Sequence, residues 1–190
     1  MKSRVRTLFS TACLLAGAAA FAQAPAKLLP AQSEIAFVSK QMGVPVDGVF
    51  KKFDASISFD PKKPEAGNLS FTIDTGSASL GIPQTDAELP KPEWFNAPKF
   101  PQATFQSSAI KGLGGGKFEV AGKLMIKGNV RDVVVPVSLA QSAGSSVATG
   151  SFTIKRLEFK IGEGDWGDTS IVANDVQVRF KLTLTGLGPL

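Results

Sequence analysis

The strongest constraint on this chain is a two-residue rhythm of apolar and polar side chains. It is cleanest at Val176-Gln177-Val178-Arg179-Phe180-Lys181-Leu182-Thr183-Leu184, where every even-numbered residue is apolar and every odd one polar. A β-strand sends successive side chains to opposite faces, so such a segment has one buried face and one wet face. The rhythm recurs in Phe53-Asp54-Ala55-Ser56-Ile57-Ser58-Phe59, in Leu69-Ser70-Phe71-Thr72-Ile73-Asp74, and over residues 118–127 and 133–139. Residues 35–40 and 103–110 are shorter candidates. Residues 151–161 keep the rhythm but change phase, with Phe152 and Ile154 on even positions and Leu157, Phe159 and Ile161 on odd ones. That shift predicts a β-bulge near Lys155-Arg156.

The punctuation fits antiparallel pairing. Residues 60–68 hold two prolines, a glycine and an asparagine between two alternating runs, and Lys127-Gly128-Asn129 reads as a tight hairpin. The glycine-rich stretch 112–116 reads as irregular, and 140–146 as a small polar loop. Roughly eight antiparallel strands joined by short turns predict an all-β barrel, which removes the exposed edges of an open sheet. One segment breaks the pattern. Residues 76–101 contain Pro83, Pro90, Pro92, Pro98 and Pro101, with Leu80, Ile82, Leu89, Trp94, Phe95 and Phe100 among them. The stretch 84–95 has room for a short helix beginning near Thr85-Asp86. A Pro-rich insert this long, with an apolar face, is expected to cover something.

Composition narrows the chemistry. The chain has no His and no Tyr, and its single Cys, Cys13, lies in an N-terminal stretch with the three parts of a secretory signal. Met1 to Arg6 is basic, residues 8–21 are apolar or small, and Ala22-Gln23-Ala24 offers a cleavage site. The expected product, residues 25–190, is one domain. The formal charge of +5 falls to +2 once Lys2, Arg4 and Arg6 leave with the signal, so a nucleic-acid face loses its support. Without His or Cys there is no Ser-His-Asp or Cys-His catalysis, no imidazole or thiolate metal site and no disulfide. No cofactor is expected, and a binding protein is the starting point.

The chain has fourteen Phe, of which only Phe9 and Phe21 belong to the leader. In a small barrel such residues either fill the interior or line a hollow one, and alternation leaves both open. The inward faces draw on Phe37, Phe53, Ile57, Phe59, Phe71 and Ile73 in the first half. In the second half they draw on Phe105, Leu124, Ile126, Val135, Phe152, Val178 and Phe180. Leu89, Trp94 and Phe95 are the candidate lid. A hollow interior of this kind suits a long hydrocarbon, each buried CH₂ contributing ~0.8 kcal/mol before the chain's ordering cost is subtracted.

Four stretches, in order, resemble the YceI-like family. The first is Ser33-Glu34-Ile35-Ala36-Phe37-Val38 with Gly48-Val49-Phe50-Lys51-Lys52-Phe53, and the second Ile73-Asp74-Thr75-Gly76-Ser77. The third, Trp94-Phe95-Asn96-Ala97-Pro98-Lys99-Phe100-Pro101-Gln102-Ala103-Thr104-Phe105, is the most specific. The fourth is Gly122-Lys123-Leu124-Met125-Ile126-Lys127-Gly128 before Val133–Leu139, then Arg156-Leu157-Glu158-Phe159-Lys160-Ile161-Gly162. The resemblance implies a lipocalin-like antiparallel barrel that binds polyisoprenoid or similar amphiphilic lipids in the bacterial periplasm, with no catalytic centre. It places Trp94, Phe95, Phe100 and Phe105 beside the pocket. The histidines that many members carry are absent here, so any head-group role they have does not transfer.

Other readings stay in play. A solid-core structural or stress-response module acting through the Pro-rich insert is one, and a hydrolase using Asp165 and Asp168 is another. Glu163-Gly164-Asp165-Trp166-Gly167-Asp168 lacks the ligand pattern of a Ca²⁺ loop, and Trp166 is either a rim residue or a plug. Lys51-Lys52 and Lys62-Lys63 allow at most transient contact with an anionic membrane surface, at about 1 kcal/mol per cation. The oligomeric state is not legible, a homodimer being one option.

Overall fold

A computed structural model describes residues 25–142 and 144–190; the predicted leader, residues 1–24, lies outside them. The alternating segments form one curled antiparallel sheet. Its strands are β1 (Lys27–Leu28), β2 (Glu34–Gln41), β3 (Val44–Phe50), β4 (Phe53–Ser58), β5 (Asn68–Asp74), β6 (Ala78–Ser79), β7 (Gln102–Gly114), β8 (Lys117–Ile126), β9 (Asn129–Ser142), β10 (Ser145–Lys155) and β11 (Asp175–Thr185). The order across the sheet is β4-β5-β7-β8-β9-β10-β11-β2-β3-β6, and β1 pairs with β11. The segment carrying β1 links the β4 edge to β11 across the curl, because the amide of Ala26, just before β1, donates to the Ile57 carbonyl of β4 at 2.9 Å.

Strands β2, β5, β8 and β10 run toward one end of the barrel, and β3, β4, β7, β9 and β11 run away from it. The Pro-rich insert and residues 156–174 therefore share one end, while the β4–β5, β7–β8 and β9–β10 turns share the other. The β8–β9 turn is a two-residue hairpin in which Lys127 (φ 49°) and Gly128 (φ 76°) both adopt the left-handed conformation.

The sheet departs from the sequence expectation in five places. It has eleven strands, not about eight. Strands β1 and β6 are two residues long, and β3 contains Pro45 and Gly48, residues that ordinarily argue against a strand. There is no bulge at Lys155-Arg156: β10 ends at Lys155, a 3-10 turn spans Arg156–Phe159, and Lys160 turns left-handed (φ 57°). Gly112, Leu113 and Gly114 belong to β7, leaving only Gly115 and Gly116 to turn. Residues 140–142 and 145–146, expected in a loop, instead extend β9 and β10. The helix, α1 (Pro83–Asp86), starts earlier than expected and is a single turn, because Pro83 pre-sets its first residue and Pro90 forbids extension. Among the described residues no helix is long and apolar enough to cross a membrane.

Candidate functional site

The inner face of the sheet is apolar and hollow. It encloses a cavity of about 550 Å³, and the exposed residues of its lining, Gln84, Glu88 and Trp166, all lie at the end shared by the insert and residues 156–174, which marks that end as its mouth. Several inward aromatics, Phe37, Phe59, Phe71, Phe105, Phe152 and Phe180, are only half-buried although they face inside, because their rings border the void.

Glycines opposite the rings keep them against the wall. Gly48 faces Phe37 and Gly150 faces Phe180 across their strand pairs. A Cβ built on Gly48 would lie 2.3 Å from the Phe37 ring, one on Gly122 2.5 Å from Phe105, and one on Gly150 2.4 Å from Phe180. Each ring thus lies over a strand position that has no side chain, and so leaves the lumen free. This arrangement separates a lined cavity from a filled core.

Two buried cations staple the lid. Arg156, 2% exposed, lines the cavity where residues 156–174 fold over it. Its Nε–H donates to the Ala173 carbonyl (3.0 Å), Nη1 to Ile161 and Gly162 (2.9 and 2.8 Å), and Nη2 to Trp166 and Val172 (2.7 and 2.6 Å). All five N–H donors are spent on backbone carbonyls, and burial pushes the guanidinium pKa below its ordinary value. Lys127, 7% exposed, donates to the Pro92 and Lys160 carbonyls (both 2.6 Å) and to Glu163 Oε2 (2.9 Å). It ties the insert, the β8–β9 turn and the 160–163 loop together. Under these staples Leu89, Phe95, Phe159 and Ile161 pack with Leu124, Ile126 and Ile154 of the wall. Asp86 holds α1 down by accepting from the Ser79 hydroxyl (2.6 Å) and the Leu80 amide (2.6 Å).

Polar side chains on the cavity surface gather at the mouth: Ser39, Gln41, Gln84, Thr85 and Glu88. Glu88 is paired with Lys91 at 2.6 Å. Trp166 lines the mouth, 42% exposed, with its ring 5.5 Å from that of Trp94, so it is a rim residue and not a plug. No cluster of metal-ligating side chains occurs among the described residues.

Of the residues expected at the site, Phe37, Ile57, Phe59, Phe71, Ile73, Phe105, Leu124, Ile126, Val135, Phe152, Val178 and Phe180 border the cavity, as do Leu89, Trp94 and Phe95 of the lid. Two do not. Phe53 keeps the inward phase of Ile57 and packs against the core, but beside the cavity, where it lines a separate groove with Pro30 and Lys52 at the Lys51-Lys52 break between β3 and β4. The Lys51 amide donates to the Ser77 carbonyl and the Lys52 amide to Ser77 Oγ, which fixes that break. Phe100 packs over Gly128 outside the lumen and under Lys99. Sequence reasoning missed Phe50, Phe118, Leu139, Ala148 and Leu182 on the wall, whose alternation was available, and Arg156, whose charge pointed outward.

The YceI-like domain family matches residues 27–184. Protein YceI of Salmonella arizonae and of Salmonella paratyphi B are each 36% identical over 92 residues, 48% of this chain and 48% of theirs. The chain spans about half the length of the curated relatives it matches. Among solved structures, BcnA of Burkholderia cenocepacia superposes with a TM-score of 0.80 at 46% identity, covering 83% of this chain and 99% of that one. The YCEI protein of Campylobacter jejuni gives 0.67 at 26% identity, covering 73% and 83%. A polyisoprenoid binding domain from Saccharophagus degradans, implicated in plant cell wall breakdown, gives 0.69 at 20% identity, covering 85% and 98%, and shares the fold.

Proposed function

The chain belongs to the YceI-like family, and on that premise we propose that it is a non-catalytic, exported protein that holds a long-chain isoprenoid lipid of the quinone or polyprenol type. The observation that carries this reading is the hollow, apolar lumen whose polar side chains, apart from the fully hydrogen-bonded Arg156, are confined to the mouth. An apolar tail inside contributes through area alone, and a head group at the mouth meets carboxamides and hydroxyls. The fold neighbour from Saccharophagus degradans is itself named a polyisoprenoid binding domain, which puts the same cargo chemistry in the same architecture. The absence of His from the whole chain, and of Cys beyond Cys13, supports a carrier over an enzyme. The leader pattern supports the periplasm as its compartment.

The test is native mass spectrometry of protein purified without detergent. The reading predicts an adduct of several hundred daltons that extracts into organic solvent. A clean apo mass, with no uptake of added ubiquinone or polyprenol, would refute it.

A further inference from the structure

We propose that the mouth of the cavity is a docking face for a neutral bilayer surface, and that cargo crosses while the rim is seated on lipid. The transfer half of this rests on the carrier reading above; the docking half does not. Three separate segments build the rim. The β2–β3 hairpin tip carries Met42 and Val44, 78% and 63% exposed. The turn before α1 carries Ile82, 54% exposed, and residues 164–171 carry Trp166 and Ile171, 42% and 40% exposed.

Backbone contacts hold two of these segments, the hairpin tip and residues 171–173, together. The Met42 amide donates to the Ile171 carbonyl at 2.7 Å, Gln41 bridges Val172, and the Ala173 amide donates to the Lys40 carbonyl at 2.9 Å. Their chain neighbours Gln41, Gln84, Thr85 and Val172 line the cavity, so the exposed side chains encircle its opening. Half of the large apolar side chains exposed among the described residues lie on this rim; Leu113 and Leu190 are at the far end, and the other three are on the outside of β8 and β9. A single exposed apolar residue is ordinary, but a group around a cavity mouth is not.

The occupant follows from continuity and charge. A tail leaving the cavity emerges between these side chains. Each methylene drawn into water along the way lowers the equilibrium about fourfold, whereas a seated rim delivers it directly to hydrocarbon. Trp is favoured where hydrocarbon meets water, and Met, Val and Ile supply shallow insertion. Charged groups beside the rim lean acidic: Asp86, Glu88, Glu163, Asp165 and Asp168 stand against Lys40, Lys51, Lys91 and Lys160. Lys91 is engaged by Glu88, and Glu163 by Lys127. A zwitterionic surface therefore fits, and an anionic one is repelled. The Lys62-Lys63 pair, expected to approach anionic lipid, sits in the β4–β5 turn at the opposite end and cannot serve this face.

The experiment is flotation of the cargo-free protein with phosphatidylcholine vesicles, with and without added phosphatidylglycerol. The comparison variant is Met42→Ser/Ile82→Ser/Ile171→Ser, whose sites are exposed and whose folding is checked by thermal unfolding. The expected result is flotation of the wild type on phosphatidylcholine and weaker flotation once anionic lipid is present. The triple variant should lose about tenfold or more in partitioning while keeping its affinity for a long-chain quinone in vesicle-free titration. Transfer of that quinone should speed up with acceptor-vesicle concentration for the wild type only. No flotation on phosphatidylcholine, flotation that survives the triple substitution, or flotation strengthened by phosphatidylglycerol would overturn the docking face. So would dimerisation that the triple variant abolishes, since a second copy would then be the occupant. A flat quinone titration refutes the carrier reading and the transfer step together, and flotation alone decides docking.

Discussion

Replacing Gly48 by Ala tests whether the barrel interior is open. The new methyl would sit 2.3 Å from Phe37 Cζ, 2.6 Å from Cε2 and 2.8 Å from Leu80 Cδ2. Carbon atoms pack at roughly 3.5–4.0 Å, so the ring must retreat by about 1.2–1.7 Å. All three obstacles are ends of side chains, unlike those at Gly122 and Gly150, where backbone carbonyls of Gln106 and Pro136 lie at 2.5 and 2.4 Å. The ring can move only into the lumen. In a filled core that movement would cost the usual ~1–3 kcal/mol of overpacking. With a void beside it, the cost reduces to an off-rotamer Phe of ~0.5–1.5 kcal/mol, and the restricted unfolded chain of Ala returns ~0.4–1 kcal/mol. Urea unfolding of the apo protein should therefore shift by less than about 1 kcal/mol. Affinity for a long-chain isoprenoid should fall about tenfold or more, because Phe37 now occupies its space, and Gly48→Ala/Phe37→Ala should restore it. A large loss of apo stability with unchanged affinity would refute the reasoning.

Arg156→Met removes five charge-assisted hydrogen bonds and leaves five carbonyls against apolar surface. A loss of about 3–5 kcal/mol in urea unfolding, with Trp fluorescence shifted toward that of a wetter ring, is expected. A loss below ~1 kcal/mol would show that the cost of burying the unpaired guanidinium cancels its bonds. Acid should loosen the lid. Asp86 is held below its ordinary pKa of 3.8 chiefly by the Ser79 hydroxyl and then the Leu80 amide, and Asp168 chiefly by the Ser170 hydroxyl and then its amide. A depressed folded pKa means the stabilisation is complete above the ordinary value and is lost as pH falls through the folded one. The hydrogen-exchange protection factors of residues 80–95 and 164–173, with the intrinsic pH dependence of exchange divided out, should stay constant between roughly pH 5 and 7 and fall only below about pH 4. Asp86→Asn and Asp168→Asn should flatten that fall, and a loss of protection near neutrality would contradict it.

Alternation made the wall legible, because the period of two is imposed by the pleat and survives any register. Residues 176–184 and 118–126 show it best, and their apolar positions border the lumen. Strand β3 was hidden by Pro45 and Gly48, yet Gly48 is what gives the Phe37 ring its place. Register decides which glycine faces which ring, and register is a long-range property: Phe180 meets Gly150 only because β10 and β11 pair as they do. That is why filled and hollow interiors looked alike in the sequence. Residues 157–161 alternate like a strand but curl, since the Arg156 side chain gathers the carbonyls of 161, 162, 166, 172 and 173 around itself. Arg156 and Lys127 read as surface charges until the loops that bury them are in place. The rim was invisible for a similar reason, its members being spread over three segments.

The direct measure of the central claim is calorimetric titration with isoprenoid alcohols that differ only in the number of isoprene units. Affinity should climb by about tenfold or more with each added unit while the tail still has lumen to fill, then level off at the length the cavity holds. Affinity that ignores tail length, or no binding at any length, would mean that the void inside this sheet is not a lipid site.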